Sequence, residues 1–149
     1  LMKTGKKGLE LIKKYEGFYS KPYRDPIGIP TIGYGATYYP NKVKVTMKDK
    51  PLTEKEASDL LVQMLKVYEN QVALLVTKPI NQNQFDALVS FTYNLGATNL
   101  SKSTLLKKVN KNPNDKSIAD EFVKWNRAGG KVLNGLTKRR KDEAALYFS

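Results

Sequence analysis

Between Phe18 and Lys50 the chain cannot run as a helix. Pro22, Pro26, Gly28, Pro30, Gly33, Gly35 and Pro40 all fall within this stretch. Each proline removes an amide donor, and each glycine raises the entropic cost of a regular element. The short runs between them are rich in Tyr, Ile and Thr and read as a compact antiparallel hairpin region. Lys42-Val43-Lys44-Val45-Thr46 alternates as a strand does. The TIGYG segment lacks the GxxxxGK[ST] pattern of a phosphate loop, so Gly33 and Gly35 are read as hairpin glycines.

The rest of the chain carries helical periodicity. Over residues 6–16, Leu9, Ile12 and Glu16 lie within about 60° of one another at 100° per residue, and Gly17 ends the run. An acid that continues an apolar stripe is unusual. Thr53 and Glu56 form a capping box that opens a helix from about Glu54 to Leu75. At about 30 Å it is long enough to link two lobes. Further helices are expected at 82–94, 102–110, 115–125 and 136–147, separated by Gly96 and Asn112-Pro113. The expectation is one α+β domain over residues 1–149. A small antiparallel β-rich lobe spans about 18–50. A larger all-helical lobe spans about 54–149 together with the helix at 6–16, and a cleft separates the two.

Composition removes several chemistries. The chain has no cysteine, which excludes disulfides, thiol catalysis and cysteine-ligated zinc, and no histidine, which excludes a Ser-His-Asp triad. Acid–base work near neutral pH then falls to Asp, Glu, Tyr or Lys. The net charge of +12 suits an acidic polymer or surface, whether nucleic acid, anionic lipid or cell wall. Charge alone does not choose among them, and a solvated lysine surface reads it equally well. No apolar run approaches a membrane span. The opening LMKTGKKG lacks the apolar core of a signal peptide, and a leucine before the methionine reads as a trimmed start.

Glu16, Asp25 and Thr31 are the residues with chemical potential. Glycoside hydrolysis needs an enclosed acid that holds a proton and an ionised, better-solvated partner. Glu16, between Tyr15 and Phe18 at a helix end, suits the first role. Asp25, in the turn YRDPIG, suits the second, and the Thr31 hydroxyl could fix the attacking water. The same residues also have plain structural readings. Asp-Pro-x-Gly is a common turn, Thr31 fits a strand, and Glu16 could pair with a nearby base. The residues alone leave both readings open.

The wider pattern resembles a known family. Glu16, eight intervening residues, Asp25, five more and Thr31, set within YEGF and TIGYG, are similar to the signature of phage-type lysozymes, the endolysins of glycoside hydrolase family 24. The likeness continues through Gln84-Phe85-Asp86-Ala87-Leu88-Val89-Ser90-Phe91 and Tyr93-Asn94-Leu95-Gly96. It extends through Trp125-Asn126 and Gly129-Gly130-Lys131-Val132-Leu133 to Arg139-Arg140 and Glu143. The resemblance implies a lysozyme-like fold and hydrolysis of the β-1,4 bond between N-acetylmuramic acid and N-acetylglucosamine in peptidoglycan. It implies Glu16 as the acid, Asp25 as the carboxylate that positions water, and Thr31 as that water's support. It also implies cytoplasmic holding until a membrane pore gives access to the wall.

The remaining expectations concern support. Tyr34, Tyr38 and Tyr39 are candidates for sugar contact, with at least one of them in the core. Arg139 or Arg140 turns inward to support Glu16, and the other is solvated. Trp125 reads as core. No metal or cofactor is expected, nor a specific nucleic acid. A monomer is expected, with secondary contact between the basic Lys138–Lys141 stretch and anionic membrane. The rival readings are a nucleic-acid module, a silent wall-binding protein on the same fold, and a lytic transglycosylase. The last needs only one acid and leaves Asp25 and Thr31 without a purpose.

Overall fold

The proline- and glycine-rich stretch folds as an antiparallel hairpin. In the computed structural model, which describes residues 2–149, helix α1 (Lys6–Glu16) leads into strand β1 (Tyr19–Arg24), which pairs with β2 (Pro30–Gly33). Tyr19 faces Gly33, Tyr23 faces Thr31 and Arg24 faces Pro30, with a register shift between Tyr19 and Tyr23. Pro22 sits in that interval, where a bulge tolerates a residue without an amide to donate. After β2 the chain reverses so tightly that Ile32 and Ala36 exchange both backbone hydrogen bonds at 2.9 Å. Gly33, at φ +65, permits the reversal, and a side chain there would begin 3.3 Å from the Ala57 Cβ.

The strand expected over residues 42–46 does not form. Lys42 has φ +68, and its amide closes a turn onto the Tyr39 carbonyl at 2.8 Å. Pairing is limited to a single Tyr38–Lys44 bridge with bonds from Tyr39 to Val43 and from Val45 to Thr37. Beyond it, the Thr46 amide and hydroxyl both turn to the Asp49 carboxylate. The alternation survives only as sidedness: Val45 is buried and Val43 exposed.

Helix α2 (Glu54–Leu75) starts as its capping box requires. The Glu56 amide donates to Thr53 Oγ1 at 3.1 Å, and the Thr53 amide donates to Glu56 Oε1 at 2.9 Å. Leu60 and Met64 close an apolar cluster with Ile32, Ala36 and Val45, against which Tyr38, Tyr39 and Leu52 pack. This packing explains why one compact unit is Ile12–Val67, larger than the β-rich stretch alone. The first part of α2 belongs to the hairpin's core.

The other unit comprises the residues up to Leu11 and Tyr68–Ser149. Its centre is α3 (Gln82–Leu95), capped reciprocally by Asn81 and Gln84, with Phe85, Leu88, Val89 and Phe91 buried. Asp86 on this helix accepts from the Gly5 and Gly8 amides at 2.9 and 3.2 Å, so a buried carboxylate tethers the start of α1. The helix expected at 102–110 forms as α5 (Thr104–Lys111), and a short helix that was not expected, α4 (Ala97–Lys102), precedes it. Ser103 is extended between them, and its hydroxyl accepts from the Leu106 amide to cap α5. The expected helix at 115–125 shortens to α6 (Ile118–Val123), because the Asp115 side chain holds the Ser117 amide and hydroxyl in a turn. A small hairpin, β3 (Arg127–Ala128) and β4 (Lys131–Val132), precedes α7 (Asn134–Tyr147). Gly129 and Gly130 both have positive φ, so the two-residue Gly-Gly turn was its sequence signal.

Candidate active site

Glu16 is the last residue of α1, and Gly17 fixes that end. Gly17 takes φ +74, and its amide donates to the Lys13 carbonyl at 2.9 Å. Glu16 itself is half-buried. One turn earlier, Lys13 joins a network that ties α1 to α2 and to the reversal after β2. Lys13 Nζ donates to Ser58 Oγ at 2.6 Å and lies 3.7 Å from Glu54 Oε2. Ser58 and Tyr34 hydroxyls donate to the same Glu54 oxygen at 2.6 and 2.7 Å. These bonds, led by that from Ser58, hold the Glu54 carboxyl below its ordinary range. Burial and the Glu54 bond push the Tyr34 phenol up.

Asp25 begins the turn between β1 and β2. Its Oδ1 accepts from the Ile27 and Ile29 amides at 3.0 and 2.9 Å, while its backbone bonds Ile29 and Gly28. The turn reading of Asp25 is therefore correct, and it uses only one carboxylate oxygen. Oδ2 takes no hydrogen bond among the described residues. Thr31, on β2, is buried, and its hydroxyl donates to the Ile29 carbonyl at 2.9 Å. With its proton engaged there, Thr31 Oγ1 presents lone pairs, so it can accept a hydrogen bond but has none left to give.

Tyr23 connects the three. It sits directly across the hairpin from Thr31 and two residues before Asp25. Its phenol is pushed up first by burial, then by the charges of Tyr19, Glu16 and Asp25. One half-buried ring thus lies within the field of both carboxylates and beside the threonine, with the Tyr19 ring 4.0 Å away. Sequence reading did not single out Tyr23. Its place on the strand that carries Asp25 was the available signal.

The supporting residues divide. Tyr34 is 7% exposed and is the core ring of the three tyrosines. Tyr38 and Tyr39 are half-buried. The Tyr39 hydroxyl donates to Asp49 at 2.6 Å, and its phenol is pushed up to about 12 by burial first and this bond second. The expectation of one solvated arginine in the Arg139-Arg140 pair is overturned, since both are buried. Glu143, one turn on along α7, draws them both in: Arg139 Nε lies 3.3 Å and Arg140 Nη2 3.0 Å from its Oε2, and Arg140 Nε 2.6 Å from its Oε1. The Ser90 hydroxyl donates to Glu143 Oε2 at 2.6 Å. Burial pushes the Glu143 carboxyl up, and the two guanidinium groups pull it the other way. Trp125 packs edge-on against Phe91 at 5.6 Å and is a half-buried part of the aromatic cluster. Among the described residues no group of acidic side chains is arranged to hold a metal ion, and no helix is long and apolar enough to cross a membrane.

A small antiparallel hairpin in a mainly helical chain, with an acid at the end of the first helix and an aspartate in the hairpin turn, defines a lysozyme-like α+β protein. The phage lysozyme family model matches residues 13–143, and the chain belongs to the phage lysozyme family. The endolysin of Salmonella phage P22 is 37% identical over 149 residues, covering 100% of both chains. The endolysins of Bacillus phages B103 and PZA are 39% and 37% identical over 99% of this chain, which spans only 55% and 56% of their length. Among solved structures, the endolysin from Escherichia coli O157:H7 phage FAHEc1 superposes with a TM-score of 0.90 at 37% identity, over 99% of this chain and 94% of that one. The muramidase domain of SpmX from Asticaccaulis excentricus gives 0.87 at 33% identity, over 100% and 99%.

Proposed function

We propose that the protein is a muramidase that hydrolyses the β-1,4 bond between N-acetylmuramic acid and N-acetylglucosamine in peptidoglycan, acting as an endolysin in host cell lysis. The observation that supports this reading is membership of the phage lysozyme family, with Asp25 in the hairpin turn, Thr31 across the hairpin from Tyr23, and Glu16 at the end of the helix that leads into that hairpin. Glu16 donates its proton to the glycosidic oxygen as the bond breaks. The free Asp25 Oδ2 accepts one proton of a water, and Thr31 Oγ1 accepts the other. Both protons of that water are then engaged, and its lone pair is left to attack the anomeric carbon. Asp25 takes up the proton that the water loses.

The protein acts as a monomer and reaches the wall after release from the host cytoplasm. Tyr39 contacts the sugar of the substrate. The test is clearing of purified peptidoglycan by the wild type, Glu16→Gln, Asp25→Asn and Thr31→Val, with Trp125 fluorescence reporting the fold. Glu16→Gln should lose at least ~100-fold in rate, with smaller losses for Thr31→Val. Normal turnover by folded Glu16→Gln would overturn the mechanism.

A further inference from the structure

A concave surface lies within residues 12–67 and includes none of Glu16, Asp25 and Thr31. It is a groove of about 700 Å³ between the 38–44 turn and the outer face of α2. Met64 and Val67 line it as apolar surface, Tyr38 gives it an aromatic wall, and Lys42, Lys44 and Lys66 stand along it. The three lysines are exposed, and none of them makes an ion pair among the described residues. No acidic residue lines the groove. The left-handed backbone at Lys42 and the single Tyr38–Lys44 bridge produce this shape, because the chain turns back there instead of continuing as a strand.

We propose that this groove binds a phosphodiester-linked, sugar-bearing polymer of the bacterial wall. The inference rests on the muramidase reading and adds to it a second wall contact. A volume of this size accepts a ligand of a few sugar or polyol units. Apolar and aromatic walls pack against the C–H faces of sugars. Three separate ammonium groups on two elements suit charges repeated along a chain. Lysine meets phosphate as a point charge on a flexible stem, which suits a polymer whose charges recur without one fixed orientation. A concave surface also disfavours a lipid bilayer, which calls for an apolar face that can enter the headgroup layer.

The experiment uses the whole chain and purified sacculi, intact or stripped of phosphodiester polymers with hydrofluoric acid. Binding is read by co-sedimentation with Glu16→Gln as the background, so that the wall persists. Wild-type groove lysines should give binding to intact sacculi that falls on stripping. Adding Lys44→Glu and Lys66→Glu should weaken binding to intact sacculi by roughly tenfold and leave binding to stripped sacculi unchanged. A control with Lys107→Glu and Lys141→Glu, exposed residues of the other unit, carries the same net charge and should retain the binding. Equal loss in the control, equal binding to stripped and intact sacculi, or equal lysine-dependent capture of single-stranded DNA or anionic vesicles would each overturn the proposal. Hydrolysis of stripped sacculi by the groove variant with Glu16 intact should match that of the wild type. This readout separates failure of the groove from failure of the muramidase reading.

Discussion

Replacing Glu143 with glutamine removes a negative charge from between two buried guanidinium groups. Glu143 is fully buried, Arg140 is fully buried and Arg139 is 3% exposed, so water cannot take over the lost charge. Breaking a buried ion pair by removing one partner costs about 3–5 kcal/mol, because the surviving charges are left uncompensated. The glutamine oxygen can still accept from Ser90, whose hydroxyl lies 2.6 Å from Glu143 Oε2, so the lower end, about 3 kcal/mol, is expected. Against a total stability of about 5–15 kcal/mol, that is a large fraction. It corresponds to a melting-point drop of roughly 6–12 °C for a chain of this size. Trp125, the only tryptophan, packs on Phe91, over whose ring the Arg140 guanidinium sits at 5.3 Å. Urea unfolding followed by tryptophan fluorescence therefore reads the cluster directly. A loss below about 1 kcal/mol with an unchanged denaturant slope would refute the claim that Glu143 neutralises the two arginines.

Two further outcomes test the packing. Gly8→Ala would ordinarily stabilise a helix by about 1 kcal/mol. Here the new Cβ would lie 2.8 Å from Asp86 Cβ and Cγ. A thermal melt should show a loss of about 1–3 kcal/mol, and a gain would contradict the close approach of α1 to α3. Tyr39 should titrate near 12, above the ordinary phenol value of about 10. Since the folded value is the raised one, its stabilising contribution is complete below pH about 10 and disappears as pH rises towards 12. Ultraviolet titration of Asp49→Asn should show only a partial return towards the ordinary value. A full return would deny that burial is the larger cause.

The elements legible in the sequence were those whose signals are local. The Thr53–Glu56 box marked the start of α2, Gly17 marked the end of α1, and the prolines and glycines marked the hairpin. The Lys42–Thr46 alternation gave the correct buried face at Val45, but a positive φ at Lys42 and the Thr46–Asp49 turn outweighed it. Helix α4 was missed because its six residues, Ala97–Lys102, lie between Gly96 and the capping Ser103 and are too few to show a helical period. The fate of Arg139 and Arg140 depended on Ser90, far off in sequence, as well as on Glu143 nearby. The proposed site was legible as a spacing of candidate residues, Glu16, Asp25 and Thr31. Tyr23 required the strand register, which a bulge had shifted.

The central claim is hydrolysis with Glu16 as the acid. Purified peptidoglycan should be digested in isotopically labelled water by the wild type and by Glu16→Gln, and the fragments identified by liquid chromatography and mass spectrometry. The account predicts reducing N-acetylmuramic ends that carry one labelled oxygen and are absent from the Glu16→Gln digest. Unlabelled anhydro-muramic ends, or labelled ends produced equally by a folded Glu16→Gln protein, would contradict it.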